Sequence, residues 1–562
     1  MWLLLYRISF FGNVCSHSFP LAFQNVAVLR EEAASDEDKP TSSNVADSKR
    51  RRRRRPFQKV NYDILNFPMT DRNNDGDWEV SNPVNPTTGL WLDSLNANAA
   101  PDDNADWSDL IPTFLRHGYS SALGERDLTR WPLLMMERSY NPPPIRQQML
   151  EILMEECQVP ATFFGRDAVM ACYACGRTTS TVIDIGYSGT TVSPVYEGYV
   201  EQKGVRRAPV GTAAMDEMVV AHLQSLLKDE AKRQHKAAST AVLKPLYQVK
   251  NPLAQRKEDF RRLALMQIGR ECRETGAGMG INTAASKTLL VPSMAYTLPD
   301  GQTVDVPSTT RFAVANLVVG RGPTSEDDEA QAQQQQREDR YNGTKKDFEN
   351  ILKAINEDDS EGGDDDEKGG DVKNEDDDDQ SKRYTEATAV GISSSKRGVK
   401  RGRKPTKAAK EKELATAMDI DNPKVVFDNR ILQKACLPYM ETMLEQLTAS
   451  PVANMVCDAA FRCDRDKQAG VLGNVVLAGG GACIGPTDQA VPDSLREQIE
   501  AIIHTHTPGW KVKVMSPGMQ ERAIASWLGG SILGSLGTFH DMWISKQEYD
   551  EWGTAIVNRK CP

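Results

Sequence analysis

The sequence predicts an α/β fold, and three features predict it. A buried strand, Thr181-Val-Ile-Asp184, runs into the glycine-rich turn Gly186-Tyr-Ser-Gly189. A second, Asn474-Val-Val-Leu-Ala478, runs into Gly479-Gly480-Gly481. The chain then closes on an apolar helical run opened by Gly529-Gly530 and flanked by Trp527, Trp543 and Trp552. Short apolar runs bounded by glycine read as buried strands, and a chain end this apolar is expected to dock in a core rather than fray.

The other elements follow in chain order. Residues 1–30 are an uncertain start. Their apolar opening lacks a basic n-region and a small-residue cleavage site and is broken by Arg7, so a signal peptide is not expected. Residues 31–56 read as a disordered segment, acidic first and then basic, with an arginine run at 50–55 stopped by Pro56. Residues 57–320 read as the first folded part. Pro142-Pro-Pro leads into Ile145, Met149, Ile152, Leu153 and Cys157, the spacing of an amphipathic helix begun after prolines. Within 161–200 a helix (168–174) stops at Gly176, and the strand at 181–184 pairs back on Thr191-Val-Ser-Pro-Val-Tyr196 as a hairpin. Helices are expected near 215–227 and 258–267, then a hairpin over 295–306 turned by Asp300-Gly301. Residues 321–422 read as one low-complexity insertion, acidic at 357–379 and basic at 396–412, unable to fold alone. The second folded part is 423–562.

Composition agrees. Apolar residues are 39% and charged residues 26% of 562, enough for a core, while a mean hydropathy of -0.51 points to added polar segments. The net charge of -10 averages an acidic block, an arginine run and a near-balanced remainder. The ten cysteines lack a secreted disulfide spacing. Cys172-Tyr-Ala-Cys175 has the form of a zinc or redox motif, but without a second pair or spaced histidines it reads as part of a core helix. No stretch is long and apolar enough to span a bilayer.

The chemistry sits in the turns. In the first, backbone amides around Gly186, Gly189 and Thr190 are placed to meet phosphate oxygens, and Asp184 at the strand end is placed to hold a magnesium ion through water. Gly479, Gly480 and Gly481 let a backbone approach a planar or anionic ligand closely. Each alone is also ordinary turn chemistry. Their order resembles the nucleotide cleft of the actin, Hsp70 and sugar kinase superfold. Three blocks resemble actins closely: Gly176 to Tyr199, Cys463-Asp-Arg-Asp466 through Gly481, and Glu521 to Cys561. The resemblance implies an actin-like two-lobed ATPase superfold, built of repeated ribonuclease H-like domains, with ATP and magnesium as the ligands of the cleft. Leu298-Pro-Asp-Gly-Gln-Thr-Val304, Leu536-Gly-Thr-Phe539 and the ending Arg559-Lys-Cys-Pro562 resemble the nuclear actin-related protein 4 type. That group implies a structural subunit of chromatin-remodelling or histone acetyltransferase complexes. It docks on an HSA helix of a large subunit, usually beside actin, and lies near histones.

The pattern departs in places. No counterpart of the first actin phosphate loop precedes Arg30, and a start that is not the true beginning of the chain is the favoured explanation. Asp167 stands where actins place the water-orienting glutamine, Thr191 where they place a histidine, and Ala523 where a basic residue flanks adenine. Hydrolysis needs positioned water and charge stabilisation. Slow or absent hydrolysis is therefore expected, with ATP, where held, a structural ligand and the chain not an enzyme. In the insertion, Arg401-Gly402-Arg403 resembles an AT-hook for A·T-rich DNA, with a nuclear localisation signal as the alternative. The acidic stretch suits basic histone tails or merely solubility. A nuclear scaffold subunit is thus expected; a cytoskeletal actin with ATPase-coupled polymerisation is the alternative, and a sugar or acetate kinase lacks support in the closing sequence.

Overall fold

A computed structural model describes residues 88–90, 128–235, 241–250, 258–275, 292–320, 328–360, 429–485 and 487–562, together with three short strands before them. Those strands are β1 (Val28–Glu31), β2 (Gln58–Val60) and β3 (Trp78–Ser81), with β1 antiparallel to both others.

Two larger sheets carry the fold. In the first, β4 (Leu133–Glu137) lies parallel to β5 (Ala161–Arg166), and β14 (Ile544–Ser545) joins β5 antiparallel. Between β4 and β5 runs α1 (Pro143–Glu151), begun after Pro142 as its spacing predicts and ended by a π-helical turn, Ile152–Glu156. Helix α2 (Asp167–Ala174) follows β5. The second sheet holds the predicted hairpin of β6 (Ser180–Ile185) and β7 (Thr190–Tyr196), in a register that sets Asp184 opposite Thr191. β8 (Tyr199–Val200) and β9 (Arg206–Ala208) pair with β7. On the other side β12 (Asn474–Ala478) lies parallel to β6 and to β13 (Lys513–Met515).

The β6–β12 layer shows why both strands read as nearly continuous apolar runs. Val182, Val476 and Ala478 enter one hydrophobic core, and Ile183, Ile185, Val475 and Leu477 enter the other. Strand side chains alternate faces, and a parallel pair covered on both sides must be apolar on both. The first core gathers β4, β5, α1, α2 and the chain's end. The second gathers the inner face of β6 and β7 with α3 (Thr212–Arg233), α4 (Glu258–Glu274), the hairpin β10–β11 (Met294–Thr297 and Thr303–Val306) and α5 (Ser308–Val319). The buried pair Arg273–Asp216, 2.6 Å, fastens α4 to α3.

Four expectations change. Within 161–200, read as a helix followed by a strand, a strand at 161–166 comes before the helix. Gly529-Gly530 is no turn: it lies inside α11 (Ala525–Ser535), where any Cβ at Gly529 would overlap the Met170 carbonyl, so the glycine is what lets α11 cross α2 closely. Trp527 and Trp543 are buried, but Trp552 is 52% exposed, with the Arg559 guanidinium over its ring.

The fourth lies in the span read as insertion. Its first part forms the 33-residue helix α6 (Asp328–Ser360). Arg337 is buried and donates to the carbonyls of Leu317 (3.0 Å) and Asn316 (2.7 Å), which cap the C-terminal end of α5. Further along, Phe348 and Ile351 enter the first core beside Cys436, Met440 and Met443 of α7 (Asn429–Gln446). The acidic stretch beyond 360 and the basic stretch with Arg401, Gly402 and Arg403 lie outside the described residues.

The second part continues with α8 (Val452–Phe461) and α9 (Arg465–Gly473) before β12, then α10 (Ala490–Ile503). The close of the chain, α12 (Lys546–Trp552) and α13 (Ile556–Lys560), is pinned to the first sheet. Arg146 donates to the Cys561 carbonyl and to Asn558 Oδ1 (3.1 Å), the Phe164 amide donates to Cys561 Sγ (3.3 Å), and Lys560 Nζ binds Glu548 (2.6 Å).

Candidate nucleotide cleft

The candidate residues meet where parallel strands end. Arg138 follows β4, Asp167 follows β5, Asp184 sits near the end of β6 and Gly479 follows β12. In α/β proteins ligands bind beyond the carboxyl ends of such strands. Asp184 and Gly479 are neighbours: a Cβ at Gly479 would collide with Asp184 Oδ1 and the Ile185 carbonyl. The φ of +94° at Gly479 is open to glycine at little cost, and it swings the chain from β12 into the turn.

The other predicted residues divide into two kinds. A Cβ at Gly189 would meet the Ala208 carbonyl, and one at Gly481 would meet Ile185 and Thr212, so these glycines serve close packing of backbone within the protein. Gly480, with nothing within 4 Å of its Cβ direction, faces open space. The Gly186 amide donates to the Gly189 carbonyl (3.0 Å) and closes the turn. Thr190 is buried and its hydroxyl donates to the Val210 carbonyl (2.7 Å). That bond ties the end of the turn to the segment after β9.

The sequence reading missed Arg138. Its Nη1 lies 2.6 Å from Asp184 Oδ2 and 3.3 Å from Asp167 Oδ2, so one guanidinium bridges two carboxylates. All three side chains are between 13% and 19% exposed, so the cluster lines the cleft rather than the core. Burial works against the Arg138 charge, but Asp184, Tyr140 and Asp167 outweigh it and raise its pKa. Burial pushes the Asp184 carboxyl above its ordinary range, opposed by Arg138 and reinforced by the charge of Asp167. A basic residue directly after an apolar strand was the available signal, since strand ends of this kind carry sites.

Asp167, at the expected water-orienting position, is already fully engaged. It accepts from the amides of Ser139 (2.9 Å) and Ala168 (2.7 Å), from the Ser139 hydroxyl and from Arg138. Nearby, Arg207 is buried against the Tyr140 ring, 5.7 Å from guanidinium to centroid. Gly89 packs where a Cβ would touch the Tyr140 hydroxyl, Arg207 and Ser188, and so brings residues 88–90 to the hairpin turn.

The Arg138 guanidinium takes up carboxylate oxygens that a divalent cation would otherwise use. Asp184, the expected holder of magnesium through water, has one oxygen occupied by Arg138. Among the described residues no group of three or more His, Cys, Asp or Glu side chains is placed to hold a metal ion. Cys172 is buried, pairs with the Ser180 hydroxyl at 2.8 Å and has its thiol pushed up to about 12 by burial, as fits a core position rather than a redox or zinc motif.

Two sheets meeting at a glycine-turned cleft, with the chain's end docked under the first sheet, are the architecture of the actin fold. The Actin family model matches residues 105–361 and 411–562, and the chain belongs to the actin family. It is similar to Actin-related protein 4 of Arabidopsis thaliana, 24% identical over 464 residues covering 82% of this chain and 77% of that protein. Actin-related protein 4 of Emericella nidulans is 24% identical over 439 residues, 78% of this chain and 72% of its own length. Actin-related protein 4 of Schizosaccharomyces pombe is 24% identical over 469 residues, 81% and 82% respectively. The family match runs through helix α6 and breaks at 362–410.

Proposed function

We propose that this chain is a structural subunit of a nuclear chromatin-remodelling or histone acetyltransferase complex. Its cleft holds ATP, where it holds it, as a structural ligand and turns it over slowly or not at all. The observation that carries the reading is its similarity, over about four-fifths of its length, to Actin-related protein 4 of plants and fungi.

Two features of the cleft and surface support it. Asp167 has its acceptor oxygens engaged by four donors, which leaves it poorly placed to orient an attacking water. On the outside, Ile532 near the end of α11 and Leu536 just after it stay 40% and 49% exposed. An exposed apolar pair beside a docked chain end suits the apolar face of a partner helix, and an HSA helix of a large subunit is the occupant we assign. Actin and histones are further proposed partners, and A·T-rich DNA is proposed for Arg401 and Arg403.

The test is direct binding of the purified full chain to a synthetic HSA helix. Ile532→Asp with Leu536→Asp is expected to abolish binding without lowering the melting temperature. Unchanged binding by that variant refutes the docking site. Filaments in a pelleting assay favour the cytoskeletal alternative instead.

A further inference from the structure

We propose that Arg138 is a built-in cation of the cleft, and that polyphosphate binds there without a divalent metal. This deepens the reading of the cleft as an ATP-holding site and rests on it. A nucleotide triphosphate brings several negative charges to a turn backed by Asp184, and a bound divalent cation ordinarily screens the two. Here that position is served by the protein. One guanidinium nitrogen lies 2.6 Å from Asp184 and 3.3 Å from Asp167, with 19% of the side chain open to solvent. A planar guanidinium has five N–H donors and stays charged at any physiological pH. With a nitrogen engaged by the two carboxylates, further donors remain for phosphate oxygens, to which such groups bind by paired charge-assisted bonds.

The geometry also explains why the position is stable. Arg138 is held from two sides by carboxylates, and Asp167 is itself fixed by the Ser139 and Ala168 amides. The adjacent Glu137 is locked in the core by Arg146, 2.8 Å away, which anchors the backbone from which Arg138 projects. The cation is thus presented by a rigid strand end, and it has no need to be recruited from solvent.

The test is equilibrium binding of ATP to the full chain, in excess EDTA and in magnesium, for the native protein and for Arg138→Ala and Arg138→Lys. The native chain is expected to bind ATP with the same affinity in both buffers. Arg138→Ala is expected to lose about tenfold to a hundredfold in EDTA and to regain affinity when magnesium is added, because Asp184 is then free to hold a hydrated ion. Arg138→Lys keeps the charge without the fork and should fall between them, still independent of metal. Melting curves of each variant establish that it is folded, and the magnesium rescue is a change that a loss of folding does not produce. A native chain that binds ATP only with magnesium overturns the proposal, as does Arg138→Ala binding unchanged in EDTA. No ATP binding in either buffer overturns it too, and in that case HSA-helix binding still decides the subunit reading separately.

Discussion

Glu137 and Arg138 are neighbours in sequence and belong to opposite regions of the molecule. Glu137 turns into the first core, where Arg146 at 2.8 Å, Arg166 at 3.5 Å and Asn141 at 2.9 Å surround it and where Arg146 also holds the Cys561 carbonyl. Arg138 turns into the cleft and bridges Asp184 and Asp167. Both are carboxylate–arginine clusters of similar composition. They differ in what surrounds them. The Glu137 cluster is sealed, 2–3% exposed for the central pair, and ties the end of the chain to the first sheet. The Arg138 cluster keeps 13–19% of each side chain exposed, and its three members come from three separate strand ends. Similar chemistry is a sealed fastening in one place and a partly exposed cluster in the other, and the burial of the pair decides which.

Breaking the sealed cluster should have the largest effect. Arg146→Ala takes from the buried Glu137 its closest cation and releases the closing residues, and a loss of about 3–5 kcal/mol is expected in denaturant unfolding. A loss below about 1 kcal/mol would mean that the chain end is held by its apolar contacts alone. Next comes the crossing of α11 on α2: Gly529→Ala drives a methyl into the Met170 carbonyl, and about 1–3 kcal/mol is expected by the same measurement. Arg138→Ala sharpens the contrast. It should cost less than Arg146→Ala, because its carboxylates keep 13–18% of their side chains exposed and Asp167 retains three other donors, while altering the metal dependence of ATP binding.

Helix α6 adds a test in pH. Glu217 on α3 takes Arg340 of α6 and Arg262 of α4, the latter at 2.8 Å. Burial alone would raise the Glu217 carboxyl, but the Arg340 charge and these bonds outweigh it and hold it below its ordinary value of 4.5. A carboxyl depressed in the folded state stabilises above its unfolded pKa, and that contribution is lost as the pH falls from 4.5 through the lower folded value. Hydrogen exchange in α6 should therefore quicken over that acid range, and Glu217→Gln should exchange fast at neutral pH and lose the dependence. The smallest effect is expected at the cap of α12, where Ser545 and Glu548 form a reciprocal capping box; Ser545→Ala should cost about 1 kcal/mol.

Much of the fold was legible because its signals are local. The β6–β7 hairpin, the turn at Gly479 and the helix behind Pro142 are each announced by residues a few positions apart. Strand β5 was not: Ala161-Thr-Phe-Phe-Gly-Arg166 is a short apolar run, equally suited to the start of a helix, and its pairing with β4 comes from 29 residues upstream, where Leu133 meets Thr162. Helix α6 was hidden by composition. Its glutamine-rich start reads as low complexity, and its buried face of Gln333, Arg337, Phe348 and Ile351 is apolar only in its second half. In the cleft the glycines and Asp184 were readable, whereas Arg138 finds its partner 46 residues away, a pairing that no local pattern encodes.

The proposal is that the cleft, its carboxylates bridged by Arg138, holds nucleotide and turns it over slowly or not at all. The most direct measurement is steady-state phosphate release from ATP and magnesium by the purified full chain, under salt conditions in which actin forms filaments. Release far slower than that of actin filaments, down to none above the protein-free control, is predicted, with the protein remaining in the supernatant on centrifugation. Turnover as fast as that of actin filaments would contradict it.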